Sequence, residues 1–357
     1  MPQYTLVDRP ETINAELGAH DPIGVDTEFM REKTFFAQLC LVQISTTECN
    51  YCVDPLVDYG LSAFWDTVMG KTWIVHSGRQ DIEVVYQTSH RMPAGLFDTQ
   101  IAAGLLGHIP QLGYAGLVNE FFDVDLAKSH TRANWARRPL SDAVLRYAAE
   151  DVEYLLPAFD KIVESLDRKG RLAWAKEDSA LLLDPVLYDT DPNLAIARLK
   201  GAREMRGPPR AAATRLAAWR ENEALRANRP RQWIVRDNVL LELAASRPAS
   251  SSELARIDGL PPGLLRRAGD ELLATIRDAA ADDDDYRPPE RPNEAQKALL
   301  KEMLAEVARC AMDLGLAGET LASKRELSAV ILSGDRNSRV LSGWRRELIG
   351  ERLIALL

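Results

Sequence analysis

The sequence predicts an α/β domain, a mixed sheet with helices over it, followed by two small all-α helical domains. Three observations carry this. Strand-like stretches come first and give way to strand–helix alternation. The periodicity is helical from about residue 211 onward. Two punctuating stretches, Gly207-Pro208-Pro209 and the acidic, proline-rich tract from Asp282 to Pro292, divide the chain. The expected domains are therefore 1–205, 206–287 and 288–357.

Each element follows from its pattern. Ile23 to Phe29 alternates apolar and polar residues with period two, as a strand does. Ala37 to Ile44 and Tyr51 to Val53 read as further strands in an antiparallel meander. Thr72 to His76 is a short apolar strand that runs into a helix from Arg79 to Gln87, with Ile82, Val85 and Tyr86 on one face. Thr99–Leu106, Gly113–Phe121 and Asp142–Leu166 keep helical spacing. The pattern breaks around Leu183-Asp184-Pro185 and Asp191-Pro192-Asn193.

Composition bounds the function. The chain has 357 residues, 46% hydrophobic and 27% charged, with a formal net charge of −9, which excludes collagen-like and disordered classes. No run approaches the roughly 18 apolar residues of a membrane span. The first residues, MPQYTLVDRP, lack a secretory pattern, and the last, LIALL, are neither a lipidation nor a retention signal, so no membrane association and a cytoplasmic location are expected. Four cysteines are too few for a disulfide framework, and Cys49 and Cys52 have no second ligand pair for zinc, so they read as strand residues. Residues 1–160 carry 22 acids against 11 Lys or Arg, whereas residues 201–281 carry 14 arginines against 10 acids. Chemistry in the first part and anion binding in the later parts fit that division.

Asp26 and Glu28 are two apart on a strand and project from the same face. Two such carboxylates repel unless cations neutralise them, and a hard divalent ion such as Mg²⁺ or Mn²⁺ suits oxygen donors. Asp81 stands at a strand-to-helix junction, where acids are also favoured by the helix dipole. Tyr147 and Asp151 are four apart and share one face of a helix.

Taken together, D-x-E on a first strand, D at a later junction and Y-x-x-x-D on a helix resemble the DEDD superfamily of 3′→5′ exonucleases in its tyrosine subgroup. Position 146, where the histidine subgroup would carry its His, is Arg146. The surrounding words GVDTEFMREKTFFAQLCLVQIS, IVHSGRQDIEVV, FDTQIAAGLLG and RPLSDAVLRYAAEDVEYLLPAF are similar to the bacterial ribonuclease D family; Asn134-Trp135 stands where that family more often has Asp-Trp. IDGLPPGLLRRAGDELLATI resembles the HRDC domain, and LASKRELSAVILSG with LSGWRRELIGERLIALL resembles the second helical domain of the same enzymes.

The resemblance implies a ribonuclease-H-like exonuclease domain, then HRDC and HRDC-like domains. It implies two divalent metal ions held by Asp26, Glu28, Asp81 and Asp151, with Tyr147 orienting the attacking water. The implied reaction is hydrolysis at RNA 3′ ends to nucleoside 5′-monophosphates, with 3′-extended tRNA precursors as partners. His76, Phe35, Gln38 and Arg137 are the expected substrate contacts, with Phe36 and Arg138 as further candidates. Arg231, Arg236, Arg266 and Arg267 are the expected backbone contacts of the HRDC-like block. The rival readings are a DNA 3′→5′ exonuclease of the same superfamily and a catalytically silent nucleic-acid-binding protein. All five expected residues are present, which argues against the silent protein. A monomer is the default expectation.

Overall fold

The computed structural model describes residues 4–57, 60–126, 133–282, 286 and 292–357. The chain divides into two compact units, one of residues 1–30, 39–188 and 290–357, the other of residues 31–38 and 189–289.

The first unit is built on a six-stranded sheet. Its strands are β1 (Tyr4–Val7), β2 (Ile23–Met30), β3 (Gln38–Ser45), β4 (Asn50–Val53), β5 (Thr72–Val75) and β6 (Gly95–Asp98), in the order β1-β4-β3-β2-β5-β6. β3 and β4 are antiparallel, while β1 with β4, β2 with β5 and β5 with β6 are parallel, so the sheet is mixed as expected. Its two edge strands, β1 and β6, four residues each, are not among the strands expected from the sequence. Helices α1 (Asn14–Gly18), α2 (Ser62–Met69), α3 (Arg79–Ser89), α4 (Thr99–Leu106), α5 (Tyr114–Phe122), α6 (Asp142–Glu153), α7 (Leu155–Arg168) and α8 (Leu172–Ala180) complete this part. Asp98 caps α4 by accepting the Gln100 and Ile101 amides, and Ser141 caps α6 through the Val144 amide.

One expected helix is two. The stretch from Asp142 to Leu166 breaks at Tyr154. Pro157 has no N–H to give the Glu153 carbonyl and its ring crowds that turn, so a continuous helix cannot form there.

The second unit is helical, with α9 (Gly207–Ala227), α10 (Arg231–Ile234), α11 (Asp237–Ser246), α12 (Ser251–Leu254) and α13 (Pro262–Asp278) around Leu216, Leu240, Leu243, Leu254 and Leu272. Gly207-Pro208-Pro209 does not interrupt the chain as a linker but opens α9, because first-turn N–H groups have no helical acceptor and proline loses nothing there. Most of the acidic tract, residues 283–285 and 287–291, lies outside the described residues.

Helices α14 (Glu294–Leu314), α15 (Gly318–Leu321), α16 (Lys324–Ser333), α17 (Gly343–Arg345) and α18 (Glu351–Leu356) belong to the first unit. Met303, Val307, Leu321, Val340 and Ile349 share one continuous apolar core with Phe97, Leu105, Leu117, Leu155 and Ile162. The junction is fastened by a buried ion pair between Asp178 and Arg345, with N···O distances of 2.6 and 2.7 Å. Beside it the Trp174 and Trp344 rings stack 4.5 Å apart. Gly343 permits this approach: its φ is +52°, and a Cβ there would lie 1.6 Å from Glu177 Oε1. Among the described residues no helix is long and apolar enough to cross a membrane.

Candidate active site

Three elements of the first unit bring four acids together. β2 supplies Asp26 and Glu28, the first turn of α3 supplies Asp81, and the last turn of α6 supplies Asp151. The alternation of β2 buries Val25 and Thr27 and leaves Asp26 and Glu28 half-buried. Asp81 is itself buried and is anchored to β2: its Oδ1 accepts the Thr27 hydroxyl at 2.5 Å and the Thr27 amide at 3.2 Å. β2 pairs with β5 over Ile23 and Gly24, and farther along β2 this carboxylate serves the Thr27 N–H. Thr27 therefore helps to place the acid that stands 54 positions later.

The electrostatics follow from that crowding. Burial, then the charges of Asp81, Asp151 and Glu28, hold the Asp26 carboxyl well above the usual carboxylate range. Burial and the Asp151 and Asp81 charges push Glu28 up to about 8. Asp151 is raised to about 7 by burial and by its neighbour Glu150, and Asp81 to about 6 by burial, against the lowering effect of its Thr27 hydrogen bonds. A set of hard, mutually repelling oxygen donors fits a divalent cation. Among the described residues no three acidic, His or Cys side chains already converge as a ready-made ion cluster. A bound ion would therefore draw these four inward.

This cluster makes a testable demand on the metal-free protein. A carboxyl harder to ionise in the folded chain than in the unfolded chain leaves the folded chain holding more protons. Stability then falls as pH rises from about 4, the unfolded value, to the value of about 8 at Glu28. In EDTA the thermal midpoint is expected to be higher at pH 6 than at pH 8.5, and Mg²⁺ is expected to raise the pH 8.5 midpoint more. Equal Mg²⁺ effects at the two pH values would contradict this.

Tyr147 lies one turn before Asp151 on α6, half-buried, its ring 6.4 Å from that of Trp135. Burial, then the Asp151, Glu28 and Asp26 charges, raise its hydroxyl well above the ordinary tyrosine value, so it stays protonated at neutral pH. Arg138 is half-buried and held by the protein itself. It grips Asp54 at 2.5 and 2.7 Å and donates to the carbonyls of Cys40 and Trp135 at 2.7 Å, fixing the segment that carries Trp135.

The expected substrate contacts have diverse surroundings. His76 Nε2 donates to the Leu112 carbonyl at 2.9 Å and Nδ1 lies 2.9 Å from the Thr99 hydroxyl, so both ring nitrogens have protein partners. Arg137 is exposed and lines a cleft of about 370 Å³ with Asn134, Ser141 and Val144, at the N-terminal end of α6. Phe35 belongs to the second unit. Its amide donates to Asn228 Oδ1 at 3.0 Å, and the Arg231 guanidinium lies 4.4 Å over its ring. Gln38 is exposed at the start of β3. Of the four expected HRDC arginines, Arg231 is half-buried and paired with the buried Glu221, while Arg236, Arg266 and Arg267 are exposed.

A family model described as 3′-5′ exonuclease matches residues 5–167, and the HRDC domain model matches residues 209–276. The ribonuclease D of Gluconacetobacter diazotrophicus is 36% identical over 348 residues, covering 94% of this chain and 87% of its own. That of Acidiphilium cryptum is 37% identical over 375 residues, covering 99% and 93%. The chain belongs to the ribonuclease D family. Among solved structures, Escherichia coli RNase D, an exoribonuclease involved in structured RNA processing, aligns with a TM-score of 0.88 at 28% identity, covering 99% of this chain and 98% of that one. As a ribonuclease D-type enzyme the chain is a 3′→5′ exoribonuclease, an RNA-binding hydrolase with an exonuclease domain and an HRDC domain.

Proposed function

We propose that this enzyme shortens the 3′ extensions of tRNA precursors in the cytoplasm by two-metal-ion hydrolysis, releasing nucleoside 5′-monophosphates, and that it works as a monomer. The observation that carries the metal reading is the set Asp26, Glu28, Asp81 and Asp151, all of whose carboxyls burial raises, with the charges of Asp81 and Asp151 adding to the rise at Asp26 and Glu28. Asp26, Glu28 and Asp151 would hold one ion, and Asp26 with Asp81 the other. Two bound ions supply an activated water and neutralise the leaving oxygen of the phosphodiester. Tyr147, protonated, would hold the attacking water by a hydrogen bond and aim it in line with the bond to be cut. Asp81 is kept in place by Thr27, so its remaining oxygen is the one available to an ion.

In the second unit a cleft of about 460 Å³ is lined by Arg229, Trp233 and Arg267, and by Arg226 paired with Glu223. It offers cations to an RNA backbone and an exposed indole, Trp233, to a base. The sequence pointed to Arg267 but not to Trp233, whose only signal is a large aromatic beside Pro230 and Arg231 just after a helix ends.

Incubation with a 3′-extended tRNA and a matched single-stranded DNA, in Mg²⁺ or EDTA, tests the reading. Metal-dependent trimming of the RNA alone, with 5′-monophosphates as products, is expected. Equal or faster DNA trimming would favour a DNA exonuclease. Tyr147→Phe is expected to lower kcat about 10²-fold with little change in metal affinity; an unchanged kcat would remove the tyrosine from the chemistry.

A further inference from the structure

The break between α6 and α7 lies three residues beyond Asp151, and a side chain from elsewhere in the fold is inserted in it. In a regular helix the Tyr154 amide would donate to the Glu150 carbonyl. Here the Tyr114 hydroxyl, at the start of α5, stands between them. It accepts the Tyr154 amide at 3.0 Å and donates to the Glu150 carbonyl at 3.1 Å. Pro157 explains why a break occurs at all, since it cannot bond the Glu153 carbonyl. It does not explain the opening three residues earlier, in the turn that carries Asp151. Insertion of a polar side chain into the ladder is a recognised cause of such an opening.

The Tyr114 hydroxyl is close enough to feel the Asp151 and Asp26 charges. Its ring is held in turn by the edge of His76, with centroids 5.7 Å apart, and His76 is tied to Leu112, two residues before Tyr114. A chain of contacts therefore runs from His76 through Tyr114 into the backbone turn bearing Asp151. The hydroxyl substitutes one donor and one acceptor for a single helix bond, so the turn stays open with both the Tyr154 amide and the Glu150 carbonyl paired.

We propose that Tyr114 is a positioning residue of this active site: its hydroxyl props open the turn of α6 at Glu150–Tyr154 and so sets where the Asp151 carboxylate stands. The inference rests on the reading of Asp151 as a metal ligand. It also gives His76 a task, that of bracing Tyr114, which needs no contact with RNA.

Tyr114→Phe removes one oxygen and keeps the ring. The full-length variant is compared with the parent by thermal unfolding in EDTA, by the Mn²⁺ concentration that gives half of the maximal thermal protection, and by kcat and KM on a 3′-labelled RNA. The expected result is a folded protein whose half-protecting Mn²⁺ concentration rises about tenfold and whose kcat falls about tenfold, with KM unchanged, as for loss of a group that orients a metal ligand. Unchanged Mn²⁺ response and kcat, with or without a lower midpoint in EDTA, would overturn the proposal, because a merely structural tyrosine would give that result. Asp151→Asn separates this from the underlying reading. If Asp151→Asn keeps full Mn²⁺ protection, the ligand assignment fails; if it loses protection and Tyr114→Phe does not, only the role of Tyr114 fails.

Discussion

Asp26→Asn is expected to slow RNA shortening by roughly 10³-fold or more, about 4 kcal/mol of transition-state stabilisation, while the metal-free protein becomes more stable near pH 8. The two effects have one cause. Asp26 is half-buried beside Asp81, Asp151 and Glu28, so its charge is costly to the fold. An amide of the same shape removes that cost and also removes the donor that both ions would share. Steady-state rates on a 3′-labelled RNA, together with thermal midpoints in EDTA at pH 8, check both halves. Near-parental activity would remove Asp26 from the chemistry. A lower midpoint would show that its charge supports the fold instead.

The largest stability effect is expected far from these carboxylates, at the Asp178–Arg345 pair. Arg345 is 2% exposed and Asp178 6%. The guanidinium also donates to the Thr320 carbonyl at 2.9 Å and to the Leu321 carbonyl at 3.1 Å, and the Trp344 indole donates to Asp178 at 3.1 Å. Asp178→Ala leaves a buried cation unpaired, which costs about 3–5 kcal/mol. Urea unfolding followed by tryptophan fluorescence reports on it, since Trp174 and Trp344 stack beside the pair. The double change Asp178→Leu with Arg345→Met is expected to recover most of the loss, because replacing both partners strands no charge. A single variant within about 0.5 kcal/mol of the parent would mean that solvent reaches the pair.

The parts of this protein that were legible from sequence are those where one local pattern carries the information. Period-two alternation placed Asp26 and Glu28 on one face of β2, and helical spacing placed Tyr147 one turn from Asp151. The acids that the structure brings together are the four that the motif singled out. What stayed hidden depends on contacts between distant residues. Asp178 and Arg345 are 167 positions apart, and nothing local marks either as a partner. Arg138 looks like a solvent-facing cation beside Arg137 until the fold brings Asp54, 84 positions away, to its guanidinium. Tyr114 reads as the second residue of the helix expected over Gly113–Phe121, and its insertion into the turn at Glu150 requires the packing of that helix against α7. Two misread features were local and could have been recovered. Pro157 inside an otherwise helical stretch marks a break, and Pro208-Pro209 ahead of an alanine-rich run marks a helix start.

The most direct measurement is the anomalous difference map of a crystal soaked in Mn²⁺. The account predicts two peaks about 3.5–4 Å apart, both in contact with Asp26, one shared with Glu28 and Asp151 and the other on the side of Asp81. A single peak, no peak, or peaks away from Asp26 would contradict it.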